Sequence, residues 1–334
     1  MKKIVLFLFC ASFATLTACH NTDKGKDQGQ NKDSLNSKPA LNSAKNAPQF
    51  NADSAYDYIK AQVDFGPRVP NTKAHNACAK YLEAKLRQFT SDVTVQIGDV
   101  KAYDGTILHI RNIIGIVHPE KHKKILLCSH WDSRPWADED SVDKKKPIDA
   151  ANDGASGIGV MLEIARDLQL KNPDIGIVML FEDAEDYGVT ENADSYALGT
   201  QFWAKSLDKT KYLADYGILL DMVGAPDAHF LQEEFSLKYA PDIVNKVWMQ
   251  AQASGTSSYF IMNHTGAITD DHLPINQIAA IPTIDIVDYD QSRGKGFGYY
   301  WHTHADNMKI INKQTLNAVG QTLLDLIFTE KGTS

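Results

Sequence analysis

Ile175-Gly176-Ile177-Val178-Met179-Leu180-Phe181 runs directly into Glu182-Asp183-Ala184-Glu185-Asp186. Seven uncharged residues followed by four carboxylates in five positions read as a buried strand that ends in a polar loop. Crowded carboxylates repel one another unless solvent or a cation neutralises them, so the run is either a solvated acidic turn or one side of a cation site.

The same pattern recurs on both sides. Ile125 to Cys128 is almost wholly apolar and leads into Ser129-His130-Trp131-Asp132, and the run from Tyr216 to Met222 carries Asp221 near its end. Strands without polar alternation belong to a sheet covered on both faces. Further strands are predicted at Val93 to Ile97, Ile107 to Val117 and Ile281 to Val287. Helical periodicity predicts helices from Asp53 to Val63, Lys73 to Phe89, Ser156 to Leu170, Ala193 to Ser206, Ile243 to Ala253 and Lys313 to Phe328. This alternation predicts a single α/β domain with a central, mostly parallel mixed sheet and helices on both faces. In such sheets the active site lies beyond the carboxyl ends of the strands, where the polar clusters fall.

Two more clusters join them: Asn152-Asp153-Gly154-Ala155-Ser156-Gly157 and Trp301-His302-Thr303. Imidazole and carboxylate donors without thiolate suit zinc, and three protein ligands with one open position make a catalytic rather than a structural site. Asp153 has a second reading, as the N-terminal cap of the helix that follows.

Together with Phe65-Gly66-Pro67-Arg68, Leu220-Asp221-Met222-Val223-Gly224 and Asp271-His272, these motifs resemble the co-catalytic zinc aminopeptidase superfamily. Within it, Gly224-Ala225-Pro226, the doubled Asp270-Asp271 before His272-Leu273-Pro274, and Trp301 ahead of His302 resemble the animal-type glutaminyl-peptide cyclotransferases. The resemblance implies one zinc ion on Asp153, Asp186 and His302, with Glu185 as proton carrier. It implies that Asp270 holds the leaving amide nitrogen, that Asp221 bonds beside Glu185, and that Trp301 walls the substrate pocket. The expected substrates are peptides and proteins with N-terminal Gln. In a two-zinc aminopeptidase of the same scaffold, His130 and Asp221 would be extra ligands and Asp153 would bridge. Both residues are present, so that alternative stays open, and with His130 as a bystander Asp132 is its candidate partner. A catalytically silent peptide-binding lipoprotein is a third reading.

Two departures from the animal pattern concern the pocket. Asp186 stands where the animal enzymes have Glu, and Tyr187 to Asn192 lacks their pocket Trp. Trp136 or Trp203 is the expected replacement, and the insert from Asp138 to Pro147, with its three consecutive lysines, is a solvated loop bordering the pocket.

The chain begins Met1-Lys2-Lys3, continues with an apolar run from Ile4 to Phe13 and reaches Leu16-Thr17-Ala18-Cys19. A charged start, a short apolar stretch and small residues describe a signal peptide over 1–18, and the apolar run is too short for a membrane span. Leu-Thr-Ala-Cys resembles the lipobox of bacterial lipoproteins, which implies lipidation of Cys19 and export to the periplasmic face of a bacterial membrane; cleavage with an unmodified Cys19 is the alternative. Residues 19–48, polar and without aromatics up to Pro48, form the expected disordered tether, and 49–334 the catalytic domain. With Cys10 in the signal, Cys78 and Cys128 are left as a possible disulfide or as two small core residues.

Composition limits what else the protein does. The chain has 334 residues, 34 Lys and Arg against 42 Asp and Glu, and no basic block, which argues against a nucleic-acid partner.

Overall fold

The computed structural model describes residues 46–332. The expected signal peptide, most of the tether, Cys10 and Cys19 lie outside the described residues. Pro48 is already buried, and its carbonyl accepts a hydrogen bond from Gln321 at 3.2 Å.

Helices α1 (Ala52–Val63) and α2 (Lys73–Leu86) precede strands β1 (Val93–Lys101), β2 (Ile107–Val117) and β3 (Lys124–His130). Then follow α3 (Ala155–Asp167), β4 (Gly176–Glu182), α4 (Leu198–Lys205), the short α5 (Lys209–Tyr212) and β5 (Gly217–Asp221). The remaining elements are β6 (Phe230–Gln232), α6 (Glu234–Tyr239), α7 (Pro241–Ala253), β7 (Phe260–His264), the single turn α8 (His272–Pro274), β8 (Thr283–Val287) and α9 (Lys313–Thr329).

Six strands form one mixed sheet in the order β1-β2-β4-β3-β5-β8. β1, β2 and β4 pair antiparallel, whereas β4, β3, β5 and β8 are mutually parallel. The residues of β2 explain its two kinds of neighbour. Its first half projects past β4, pairs only with β1 and alternates exposed with buried, while from Ile113 onward it lies between two strands and is buried throughout. β4 is buried at every position, as its lack of polar alternation predicts.

One face of the sheet carries the larger core, where Ile59, Leu82, Ile158, Trp248 and Leu323 of α1, α2, α3, α7 and α9 meet Ile125, Ile177 and Ile218. The other face packs Leu126, Val178 and Leu219 against Trp203 of α4 and Ile275. The order of strand addition reverses at β3, because β4 and β5 lie on opposite sides of it. That switch point opens a crevice at the carboxyl ends of the strands, and β3 ends there in His130.

The helix expected from Ala193 to Ser206 is broken. A 3₁₀ turn spans Ala193–Ser195, Ala197 takes a left-handed φ of 53°, and α4 begins only at Leu198. The break follows from anchoring: the amides of Ala197 and Leu198 donate to the carbonyls of Glu185 and Ala184, both at 3.1 Å. β6 and β7 form a separate two-stranded parallel sheet that sequence periodicity does not predict. Cys78 and Cys128 are buried and both free, so they are core residues and not a disulfide. Among the described residues no helix is long and apolar enough to cross a membrane.

Candidate metal centre and active-site cleft

The acidic run after β4 does not act as one cluster. Asp183 turns inward, accepts from His75 Nε2 at 2.8 Å and from the amides of Arg111 and Ala184, and holds the loop to β2. Glu182 is fully buried on the side of Asp271 and Thr200. Only Glu185 and Asp186 face the crevice, because Asp132 accepts their two backbone amides at 3.0 and 3.4 Å and fixes the turn.

Asp153 comes to the same place from the loop before α3. It does not cap that helix: the capping position falls on Gly154, and no side chain bonds there. Instead, Asp306 accepts the amides of Asn152 and Asp153 at 2.7 and 3.0 Å, which leaves the Asp153 carboxylate directed at the crevice. Gly154 has φ 93°, and a Cβ there would lie 2.8 Å from the His130 ring, so the close passage of this loop over His130 requires glycine.

Two sets of donor atoms result, and they share Asp153. His130, Asp153 and Asp221 form one, Asp153, Asp186 and His302 the other, with the donor atoms of each set within 4.8 Å of one another. All five residues are buried. His302 Nε2 lies 3.4 Å from Asp186 Oδ1 and 3.8 Å from Asp153 Oδ2. His130 Nε2 lies 3.1 Å from Asp153 Oδ1 and 3.2 Å from Asp221 Oδ1, and its Nδ1 is 3.4 Å from Asp132. Asp132, the candidate partner for a bystander His130, lies beside the ring, but Nδ1 makes no hydrogen bond to it. Asp221 is hydrogen-bonded to His130 and lines the same cleft as Glu185.

The electrostatics suit a cation. Burial, with Asp186 close by, pushes the Asp153 carboxyl up to about 6, and the hydrogen bond from His130 opposes that rise. Burial would also raise Asp186, but the charges of His302 and Arg134 hold it below the usual carboxylate range. Asp186 Oδ2 is buried without a hydrogen-bond partner. An orphaned carboxylate oxygen among imidazole and carboxylate donors, with no thiolate, fits zinc.

A cleft of about 310 Å³ opens beside this centre. Glu185, Asp270, Trp301, Phe297, Tyr196 and Ile268 line it together with the donor residues. Burial, opposed by the charge of His130 and reinforced by those of Asp270 and Asp186, pushes Glu185 well above the usual carboxylate range. Burial, Asp221 and Asp271 do the same to Asp270. Trp301 stacks between Phe297, with ring centroids 4.4 Å apart, and His302, at 3.8 Å.

The structure departs from the expected rim at Trp136 and Trp203. Trp136 does not line the cleft; it packs edge-on against Tyr187 at 5.3 Å and lies over the Arg134 guanidinium at 5.2 Å. Trp203 is core. Tyr196 and Phe297 supply the aromatic walls instead, contributed by loops whose convergence leaves no spacing signal in the sequence. Backbone strain gathers at the same place: Ala184, Met222 and His302 have φ of 54°, 50° and 54°, each at or next to a site residue.

Comparison with known proteins finds three levels of likeness. The model of peptidase family M28 matches residues 112–327. A glutaminyl cyclase from Bacteroides thetaiotaomicron, solved with N-acetylhistamine bound, is 51% identical and superposes with a TM-score of 0.83 over 86% of this chain and 100% of that one. A Zn-dependent exopeptidase from Parabacteroides distasonis is 50% identical, with a TM-score of 0.82 over 85% and 100%. The glutaminyl-peptide cyclotransferase of Drosophila melanogaster is 25% identical over 75% of this chain and 73% of its own.

Proposed function

The chain belongs to peptidase family M28, and we propose that it is a zinc-dependent glutaminyl-peptide cyclotransferase that converts N-terminal Gln of peptides and proteins to pyroglutamate with release of ammonia. The observation that carries this reading is a cleft with two buried acids, Glu185 and Asp270, beside the Asp153, Asp186 and His302 donor set. The likeness to glutaminyl cyclases at about half identity supports it.

Cyclisation joins the α-amine of the substrate to its own γ-carboxamide, so no water nucleophile is needed and the link between the reacting atoms removes much of the entropic barrier. Asp153, Asp186 and His302 would hold one zinc ion. A bound zinc ion supplies Lewis-acid polarisation of the amide carbonyl. Glu185 accepts the proton of the α-ammonium and returns it to the departing nitrogen. Asp270 accepts a hydrogen bond from the carboxamide NH₂ and orients it as the leaving group. Trp301, Phe297 and Tyr196 exclude water and grip the Gln side chain between apolar faces.

A two-zinc aminopeptidase is the second reading, because the His130, Asp153 and Asp221 donor set is also complete and a Zn-dependent exopeptidase is an equally similar structure. Gln-peptides and Leu-amide compared on the same preparation, with zinc counted, separate the two. Ammonia release with one zinc per chain supports cyclisation; free amino acid with two overturns it.

Export is part of the proposal, with a lipid anchor at Cys19 holding the enzyme at the periplasmic face. The charged start, the short apolar run and Leu16-Thr17-Ala18-Cys19 support it. Lipid labelling of the full chain that persists in Cys19→Ala would overturn the anchor.

A further inference from the structure

Arg134 is fully buried, and its guanidinium divides its donors between two carboxylates. Nη1 donates to Asp186 Oδ1 at 2.8 Å and to the Asp186 carbonyl at 3.1 Å. Nε and Nη2 form a fork on Asp138, at 2.7 and 2.8 Å. Asp138 Oδ1 in turn lies 3.5 Å from His302 Nδ1, on the side of the ring opposite the donor nitrogen that faces Asp186 and Asp153. One side chain therefore touches one member of the donor set directly and stands one residue away from another.

The surroundings hold this arrangement in place. Trp136 covers the guanidinium, Glu139 donates its amide to the His302 carbonyl at 3.2 Å, and Asp140 accepts both the amide and Nδ1 of His304. Glu139 and Asp140, at the start of the insert, are thus tied behind His302, while Ser141 to Pro147, with the three lysines, is exposed as a solvated loop should be. Asp is one methylene shorter than the Glu of the animal pattern, so it covers less range, and the Nη1 bond to Oδ1, held by the fork on Asp138, sets which way the other oxygen points. That other oxygen, Oδ2, is the one without a partner.

We propose that Arg134 is a positioning residue that, together with Asp138, presets Asp186 and His302 for the metal. The planar fork matters more than the charge, because lysine reaches one carboxylate and not both. Partners that orient metal ligands from behind typically account for a 10- to 100-fold change in affinity.

The test is zinc affinity, by competition with a chromophoric chelator, on Arg134→Ala, Arg134→Lys, Asp138→Asn, Asp138→Ala and the double Arg134→Ala/Asp138→Ala. The melting temperature of each metal-free protein serves as the fold control. Each single variant is expected to bind zinc roughly 10- to 100-fold more weakly, Lys failing to rescue, and the double to be no weaker than Arg134→Ala by more than about threefold, because the pair acts as one unit. A cobalt-substituted parent should also show a ligand-field spectrum that the Arg134→Lys protein changes. Variants that bind zinc within about twofold of the parent overturn the proposal, whatever their metal-free melting does, as do losses that simply add in the double. The inference rests on the zinc reading of the site: a parent that takes up no zinc overturns that reading and this one together, whereas a parent that binds with variants unchanged overturns this one alone.

Discussion

His130 Nε2 lies 3.1 Å from Asp153 Oδ1, the carboxylate whose other oxygen faces His302. His130 Nε2 is also hydrogen-bonded to Asp221 Oδ1 at 3.2 Å, so its ring is held by two carboxylates on the side of Asp153 away from His302, and in the one-zinc reading it orients Asp153 without holding a metal itself. His130→Ala is therefore expected to keep one zinc per chain and lose part of its turnover. Zinc counting by atomic absorption checks this, and loss of one metal equivalent from a two-zinc parent would contradict it.

Glu185→Gln preserves shape and removes the base. Turnover of a Gln-peptide should fall by about 10²- to 10⁴-fold, the usual contribution of a positioned acid or base, with zinc content unchanged. Substantial residual activity removes Glu185 from the proton path.

Asp270→Ala deletes a hydrogen bond to the leaving nitrogen. A hydrogen bond to a carboxyl group held protonated by its surroundings contributes about 0.5–1.5 kcal/mol, which is roughly 2- to 10-fold in kcat. Stopped-flow ammonia detection with parallel zinc analysis should show slower turnover at full metal loading; unchanged rates would sink the assignment.

Trp301→Phe keeps a ring against His302 and shrinks the substrate wall. KM for Gln-peptides should rise several-fold with zinc content and kcat little changed, the signature of lost uniform binding. A fall in kcat alone would argue that Trp301 acts through His302.

Asp167, at the end of α3 and far from the cleft, predicts a pH effect on stability. Burial and then Glu163, opposed by Arg166, push its carboxyl up to about 7 from an ordinary value of 3.8. The folded protein thus holds a proton that the unfolded chain has released between these values, and stability falls as pH rises through that window. Asp167→Asn should therefore raise the melting temperature more above the window than at its acid end. Equal shifts at both pH values, measured by calorimetry, would refute it.

The strands and the donor set were legible because both leave local marks. Ile175 to Phe181 lacks polar alternation since β4 is covered on both faces, and Asp186 follows just past its end; Asp153 and His302 come from loops, and it was the family resemblance of their motifs that marked them. What escaped was contributed from a distance. Arg134 sits within a polar run and reads as surface until Asp186 and Asp138 are seen around it. Tyr196 and Phe297 come from separate loops, and Trp136, the apparent pocket aromatic, is drawn away by Tyr187 and the guanidinium. The break before α4 is set by carbonyls of the Ala184–Glu185 turn, which no helical periodicity can report.

Left-handed backbone at Ala184 and Met222, beside Glu185 and Asp221, sets a limit on how this enzyme can be improved. Such a conformation costs about 1 kcal/mol or more at a residue with a Cβ, and glycine relieves it. A screen for heat resistance should therefore be drawn to glycine at these two positions, and the extra freedom would loosen the neighbouring acid or donor. Selection for endurance and selection for turnover would then pull the same two residues in opposite directions.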